Sequence, residues 1–84
     1  MANRMWTPNI GGKRHAVVAR WNPFTFAGEL VVNGVIVKSW GGPRLAKPDI
    51  NFQIEGHDAF LRNNLMSWDL FVDGEKIPHK QNVS

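Results

Sequence analysis

Trp68-Asp69-Leu70-Phe71-Val72-Asp73-Gly74-Glu75-Lys76-Ile77-Pro78 decides the fold. Asp-Gly is a strong two-residue turn signal, because a type I′ turn needs φ > 0 at both central positions and this pair tolerates it. On the strand before the turn, Trp68, Leu70 and Val72 share one face, and Asp69, Phe71 and Asp73 share the other. After it, Glu75 stands opposite Val72, and Ile77 returns to the face of Leu70. Pro78 has no N–H to donate and ends the ladder. The stretch is a β-hairpin with one apolar face.

The same hairpin occurs earlier. Glu29-Leu30-Val31-Val32-Asn33-Gly34-Val35-Ile36-Val37 aligns with Asp69 to Ile77, with Asn-Gly in place of Asp-Gly. A second echo precedes each copy. His15-Ala16-Val17-Val18-Ala19-Arg20 resembles His57-Asp58-Ala59-Phe60-Leu61-Arg62. The chain therefore reads as two copies of one unit, a strand from His to Arg followed by a tight hairpin.

The rest of the chain fits an all-β plan. Lys13 to Trp21 alternates and reads as one strand, which Asn22-Pro23 breaks. Phe24, Phe26, Gly28, Leu30 and Val32 alternate with their neighbours, so a long strand bent or bulged at Gly28 is expected. The first hairpin returns from Val35 to Trp40. Ile50, Phe52 and Ile54 mark a half-buried strand, and Gly56 permits a turn into His57–Arg62. No segment keeps a helical period over three turns. The expectation is an antiparallel β-sandwich of about seven short strands. It forms a single domain over 1–84, with its core at 13–78, an N-terminal arm at 1–12 and a flexible tail at 79–84. Leu30, Val32, Leu70 and Val72 are the expected core of the hairpins.

Composition narrows the function. The 84 residues are 43% hydrophobic and contain no cysteine, which rules out disulfides, thiolate catalysis and cysteine-based zinc sites. No apolar run reaches transmembrane length, and none near Met1 has signal-peptide form. A cytoplasmic protein is expected. The net charge of +3 comes from ten Lys and Arg against seven Asp and Glu, and the bases are scattered. Nucleic-acid binding needs positive charge on one face, so it is not the first expectation.

Catalytic constellations are missing from the sequence. His15, His57 and His79 have no metal-ligand spacing, and His15 and His57 are expected to hydrogen-bond the backbone at strand starts. His57 and Asp58 are strand neighbours and point to opposite faces. Gly41-Gly42-Pro43-Arg44 resembles an anion cradle, but Pro43 removes a donor and no helix follows, so a plain loop is expected. No enzyme activity and no cofactor are expected.

Phe52-Gln53-Ile54-Glu55-Gly56-His57-Asp58-Ala59-Phe60-Leu61-Arg62, followed by Leu70 to Pro78, resembles the Fas apoptotic inhibitory molecule family. The first half is similar, with a His-led strand and then a hairpin with a Gly turn. The resemblance covers most of residues 13–78. It implies a β-sandwich without catalytic residues. It also implies a kinship with proteins that inhibit cell death and protect against protein aggregation. The chain corresponds to about one domain of such two-domain proteins, so the cellular role does not follow from the resemblance.

Two binding modes remain. The first is a protein-interaction face. By strand parity, Val31, Ile36, Trp40 and Phe71 fall opposite the core, where polar residues belong on a monomeric sandwich. They are the expected interface, with a homodimer preferred over another protein partner. The rival cover for this face is the arm, with Trp6 as its plug. The alternative function is a small-ligand or single-stranded nucleic-acid binder. There Trp21 with Arg20 and Arg62 supplies a stacking and anion-binding platform. The two arginines occupy equivalent repeat positions, and cross-strand pairing with Glu29 and Asp69 is their other expected role.

Overall fold

The computed structural model describes residues 2–25, 27–41, 49–63 and 68–78. They form ten strands and no helix. These are β1 (Ala2–Trp6), β2 (Asn9–Ile10), β3 (Lys13–Arg14), β4 (Val17–Trp21), β5 (Gly28–Val32), β6 (Val35–Trp40), β7 (Asp49–Ile54), β8 (His57–Asn63), β9 (Trp68–Val72) and β10 (Glu75–Ile77). One four-stranded sheet runs β1-β4-β5-β6, a second runs β10-β9-β8-β7, and β2-β3 is a small separate ribbon. All pairs are antiparallel.

Both hairpins form as their turn residues require. Asn33 and Gly34 have φ of 51° and 84°, and Asp73 and Gly74 have 52° and 79°. Positive φ at two successive positions is the type I′ signature that matches strand twist. Glu75 pairs with Val72 and Ile77 with Leu70. The sheets pack through faces carrying Val17, Ala19 and Leu30 on one side and Phe52, Leu61, Trp68 and Leu70 on the other, all in one buried cluster. The result is the expected antiparallel sandwich, with ten strands rather than seven.

Three local expectations are corrected. The N-terminal stretch is no loose arm. Ala2–Trp6 pairs along β4 as an edge strand, and Trp6 enters the core with 1% of its surface exposed. Trp6 therefore does not plug the outer face. The strand expected over Lys13–Trp21 is split, because β3 belongs to the ribbon while β4 starts at Val17. His15 N–H donates to the Pro8 carbonyl at the break, 2.9 Å away. The strand expected from Phe24 begins only at Gly28. There the Asn22 side chain takes over. Its Oδ1 accepts from the N–H groups of Phe24 and Thr25, while the Asn22 backbone N–H donates to the Ala27 carbonyl. Such local side-chain bonds compete with a ladder. Phe24 is left 89% exposed. Phe26, the tail at 79–84 with His79, and Gly42-Pro43-Arg44 lie outside the described residues.

A β-bulge sets the end of the first hairpin. Val31 pairs with Ile36, but Leu30 pairs with Lys38, so Val37 is an extra residue. One inserted residue reverses the facing of everything beyond it. Trp40 consequently stands opposite Gly28 and packs inward against the core. A Cβ at position 28 would clash with the Arg20 carbonyl oxygen and come within 2.7 Å of the Trp40 indole, so the site excludes a side chain. Trp40 also meets Trp68 of the second sheet, with ring centroids 5.2 Å apart.

Candidate functional site

The two histidine-led strands build the same lock twice. Asn33 N–H donates to the Ala16 carbonyl, and Asp73 N–H donates to the Asp58 carbonyl, both at 2.8 Å. His15 Nδ1 lies 3.0 Å from Asn33 Nδ2, and His57 Nδ1 lies 2.7 Å from Asp73 Oδ2. The histidines thus tie each strand to the side chain of the next hairpin turn, not to the backbone as the sequence suggests. In the first lock the proton position follows from geometry. Asn33 Oδ1 accepts from Ala16 N–H, so its amide nitrogen faces His15 and can only donate. Nδ1 is the acceptor, and the ring proton sits on Nε2. That atom is buried and has no hydrogen-bond partner among the described residues. The second lock is an exposed hydrogen-bonded contact, with side chains 42% and 57% exposed.

The expected Arg/Trp platform is not assembled. Arg20 lies on the outer face of the first sheet beside its register partner Glu29, with 3.7 Å between Nη1 and Oε2. Trp21 turns inward and packs on the core. Arg62 lies on the outer face of the second sheet, where its Nε donates to Asp49 at 3.2 Å. The inner faces of the sheets pack together, so the two arginines stand on opposite sides of the sandwich. Repeat equivalence put them at matching positions in different sheets, not side by side.

The four expected interface residues separate for the same reason. Phe71 is on the outer face of the second sheet, stacked on Phe60 with centroids 4.7 Å apart and planes 10° from parallel. The Arg62 guanidinium lies 5.2 Å from both ring centroids. Trp40 is internal because of the bulge. Val31 and Ile36 share the outer face of the first sheet. Val31 is only 7% exposed, whereas Ile36 is 59% exposed. The single face expected from parity is therefore two faces and one core residue.

Register shows what lies across each outer face. On the first sheet Met5, Val18, Val31 and Ile36 are consecutive partners from one edge to the other. Next to this row run Asn3, Arg20, Glu29 and Ser39. On the second sheet the equivalent row is Asn51, Phe60, Phe71 and Lys76. Polar residues end that row on both sides. The first row is apolar throughout, and it finishes on β6, where Val35 and Val37 are 62% and 40% exposed. Met5 and Val18 escape a sequence reading because their strand pairing is not local. The alternation of Met5 with Arg4 and Trp6 is the one available signal.

Comparison with known proteins gives no match to a family model, to a curated protein or to a solved structure. Among the described residues no helix is long and apolar enough to cross a membrane.

Proposed function

We propose that this chain is a non-enzymatic, cytoplasmic protein-interaction domain of the kind implied by its resemblance to the Fas apoptotic inhibitory molecule family. The contact surface is the outer face of the first sheet together with the adjoining edge of β6. One observation carries the reading. The Met5-Val18-Val31-Ile36 row crosses that face without a polar residue and ends at the β6 edge on Ile36, which is 59% exposed. A solvated face of an antiparallel sheet alternates to polar residues, and a contiguous apolar patch marks a contact site. The second sheet keeps the rule with Asn51, Lys76 and the ion pairs of Arg62 and Asp69.

The test is positional. A photo-crosslinking amino acid replaces Ile36 in one sample and Asp58, on the opposite sheet, in another. Irradiation in native cell extract is expected to give protein adducts from position 36 well above those from position 58. Equal yields from both positions would refute the surface assignment.

A further inference from the structure

The outer face of the first sheet is complementary to itself. Its register-defined residues are Asn3 and Met5 on β1, Val18 and Arg20 on β4, Glu29 and Val31 on β5, and Ile36 and Ser39 on β6. Arg20 is the one cation among them and Glu29 the one anion. The chain as a whole carries +3, yet this face is neutral. The two charges touch at 3.7 Å, beyond hydrogen-bond length, with side chains 50% and 34% exposed.

We infer that the partner of this face is a second copy of the chain, docked face to face about a two-fold axis. This rests on the interaction reading above. The axis runs parallel to the strands, between β4 and β5. That operation keeps each cross-strand row on itself and reverses the strand order. It brings β4 onto the partner's β5 and β1 onto the partner's β6. Val18 then meets Val31, Met5 meets Ile36, and Asn3 meets Ser39. Each Arg20 faces the Glu29 of the other copy, so two ion pairs form beside the apolar row. A two-fold interface is isologous and needs this self-complementarity. Opposed charges also fix the register of docking and exclude a slipped one, where arginine faces arginine.

Size sets the strength. Four strands at about 4.8 Å spacing and five residues at about 3.3 Å each give a face of roughly 300 Å². Stable complexes bury about 800 Å² per partner. The dimer is therefore transient, and it forms at high micromolar concentration or above.

A charge exchange tests the pairing. Sedimentation equilibrium is run to about 1 mM on the wild-type chain, on Arg20→Glu, on Glu29→Arg and on their equimolar mixture. Each single variant places like charges across its own dimer interface, so self-association weakens by about tenfold or more. In the mixture every cross-interface pair is again opposite, and association returns to the wild-type level. Ile36→Lys, at an exposed position that leaves the fold intact, abolishes association, and Phe71→Lys on the other sheet leaves it unchanged. Circular dichroism confirms that each variant is folded. A wild-type chain that stays monomeric to about 1 mM overturns the inference. So does a mixture of the charge variants that stays monomeric. If crosslinks from position 36 then reach only other proteins, the interaction reading survives and self-pairing alone fails. If position 36 gives none, both fail.

Discussion

The two four-stranded sheets are built on one pattern and differ in what they show the outside. In each, a strand led by a histidine pairs with the first arm of a type I′ hairpin. In each, the turn residue donates its N–H to the carbonyl one residue past that histidine. The first sheet then departs in three ways. Its lock joins a buried histidine to an exposed asparagine instead of an exposed His–Asp pair, its second hairpin arm contains a bulge, and its outer row is apolar to both edges. The shared features all serve closure of the unit. The differences lie at the outer face and at the edge, where contact with other molecules is decided.

The comparison is sharpest in the core. Leu30 and Leu70 occupy equivalent positions and are both fully buried. Leu30→Ala and Leu70→Ala are each expected to cost about 2–5 kcal/mol, measured by urea denaturation. A cost under about 1 kcal/mol for one of them alone would show that the halves do not share one core.

Gly28 tests the departure that created the bulge. Its repeat counterpart is Trp68, so one sheet holds a large residue where the other holds none. Gly28→Ala drives a methyl group against the Arg20 carbonyl oxygen and the Trp40 ring and is expected to cost about 1–3 kcal/mol, with loss of near-ultraviolet dichroism from the Trp40–Trp68 pair. In a Trp40→Ala background the contact with the Arg20 carbonyl oxygen remains, so the same change is still expected to destabilise the chain, by less than in the wild type. No cost in that background would make the Trp40 ring the whole reason for the glycine.

The locks come next. Asn33→Ala and Asp73→Ala carry the same penalty for positive φ, so their difference isolates the side-chain bonds. Asn33→Ala leaves a buried imidazole and the Ala16 N–H without partners, whereas Asp73→Ala releases an exposed pair. The first is expected to be worse by about 1–2 kcal/mol in chemical denaturation. Matching losses would mean that burial of His15 adds nothing to its lock.

The smallest effect is expected on the second outer face. Phe71→Lys breaks the Phe60 stack and the contact with Arg62, for about 0.5–1.5 kcal/mol by thermal melting. The variant stays folded. A chain unfolded by this change would place Phe71 in the core.

Those contrasts also explain what the sequence disclosed. The hairpins were legible because Asn33-Gly34 and Asp73-Gly74 settle their turns within two residues. The facing of Leu70 and Phe71 followed from parity, since no irregularity interrupts that strand. Trp40 was misplaced because the bulge at Val37 reverses the facing of the residues beyond it, and strand parity alone does not show an inserted residue. The β1 strand was read as an arm because its partner, β4, lies across the ribbon. Phe24 was drawn into a strand by its alternation with Phe26, although the Asn22 carboxamide had already claimed the local N–H groups. The candidate site suffered most, because an interface list drawn from two hairpins assumed that they share a sheet.

The order of the strands bears on how quickly this molecule reaches its native state. Apart from β1, every ladder joins strands adjacent in the chain, and β5–β6, β7–β8 and β9–β10 close through two-residue loops. Greek-key sandwiches must bring distant segments together before a ladder forms, which costs loop entropy early and slows the search. Here the second sheet is a meander assembled from neighbours, and so is the first apart from β1. The events left are the pairing of β1 with β4 across the ribbon and the docking of the two apolar faces. Refolding should therefore be fast for an all-β chain and spend little time with open strand edges. Most of its transition-state order should lie in the hairpins around Asn33-Gly34 and Asp73-Gly74.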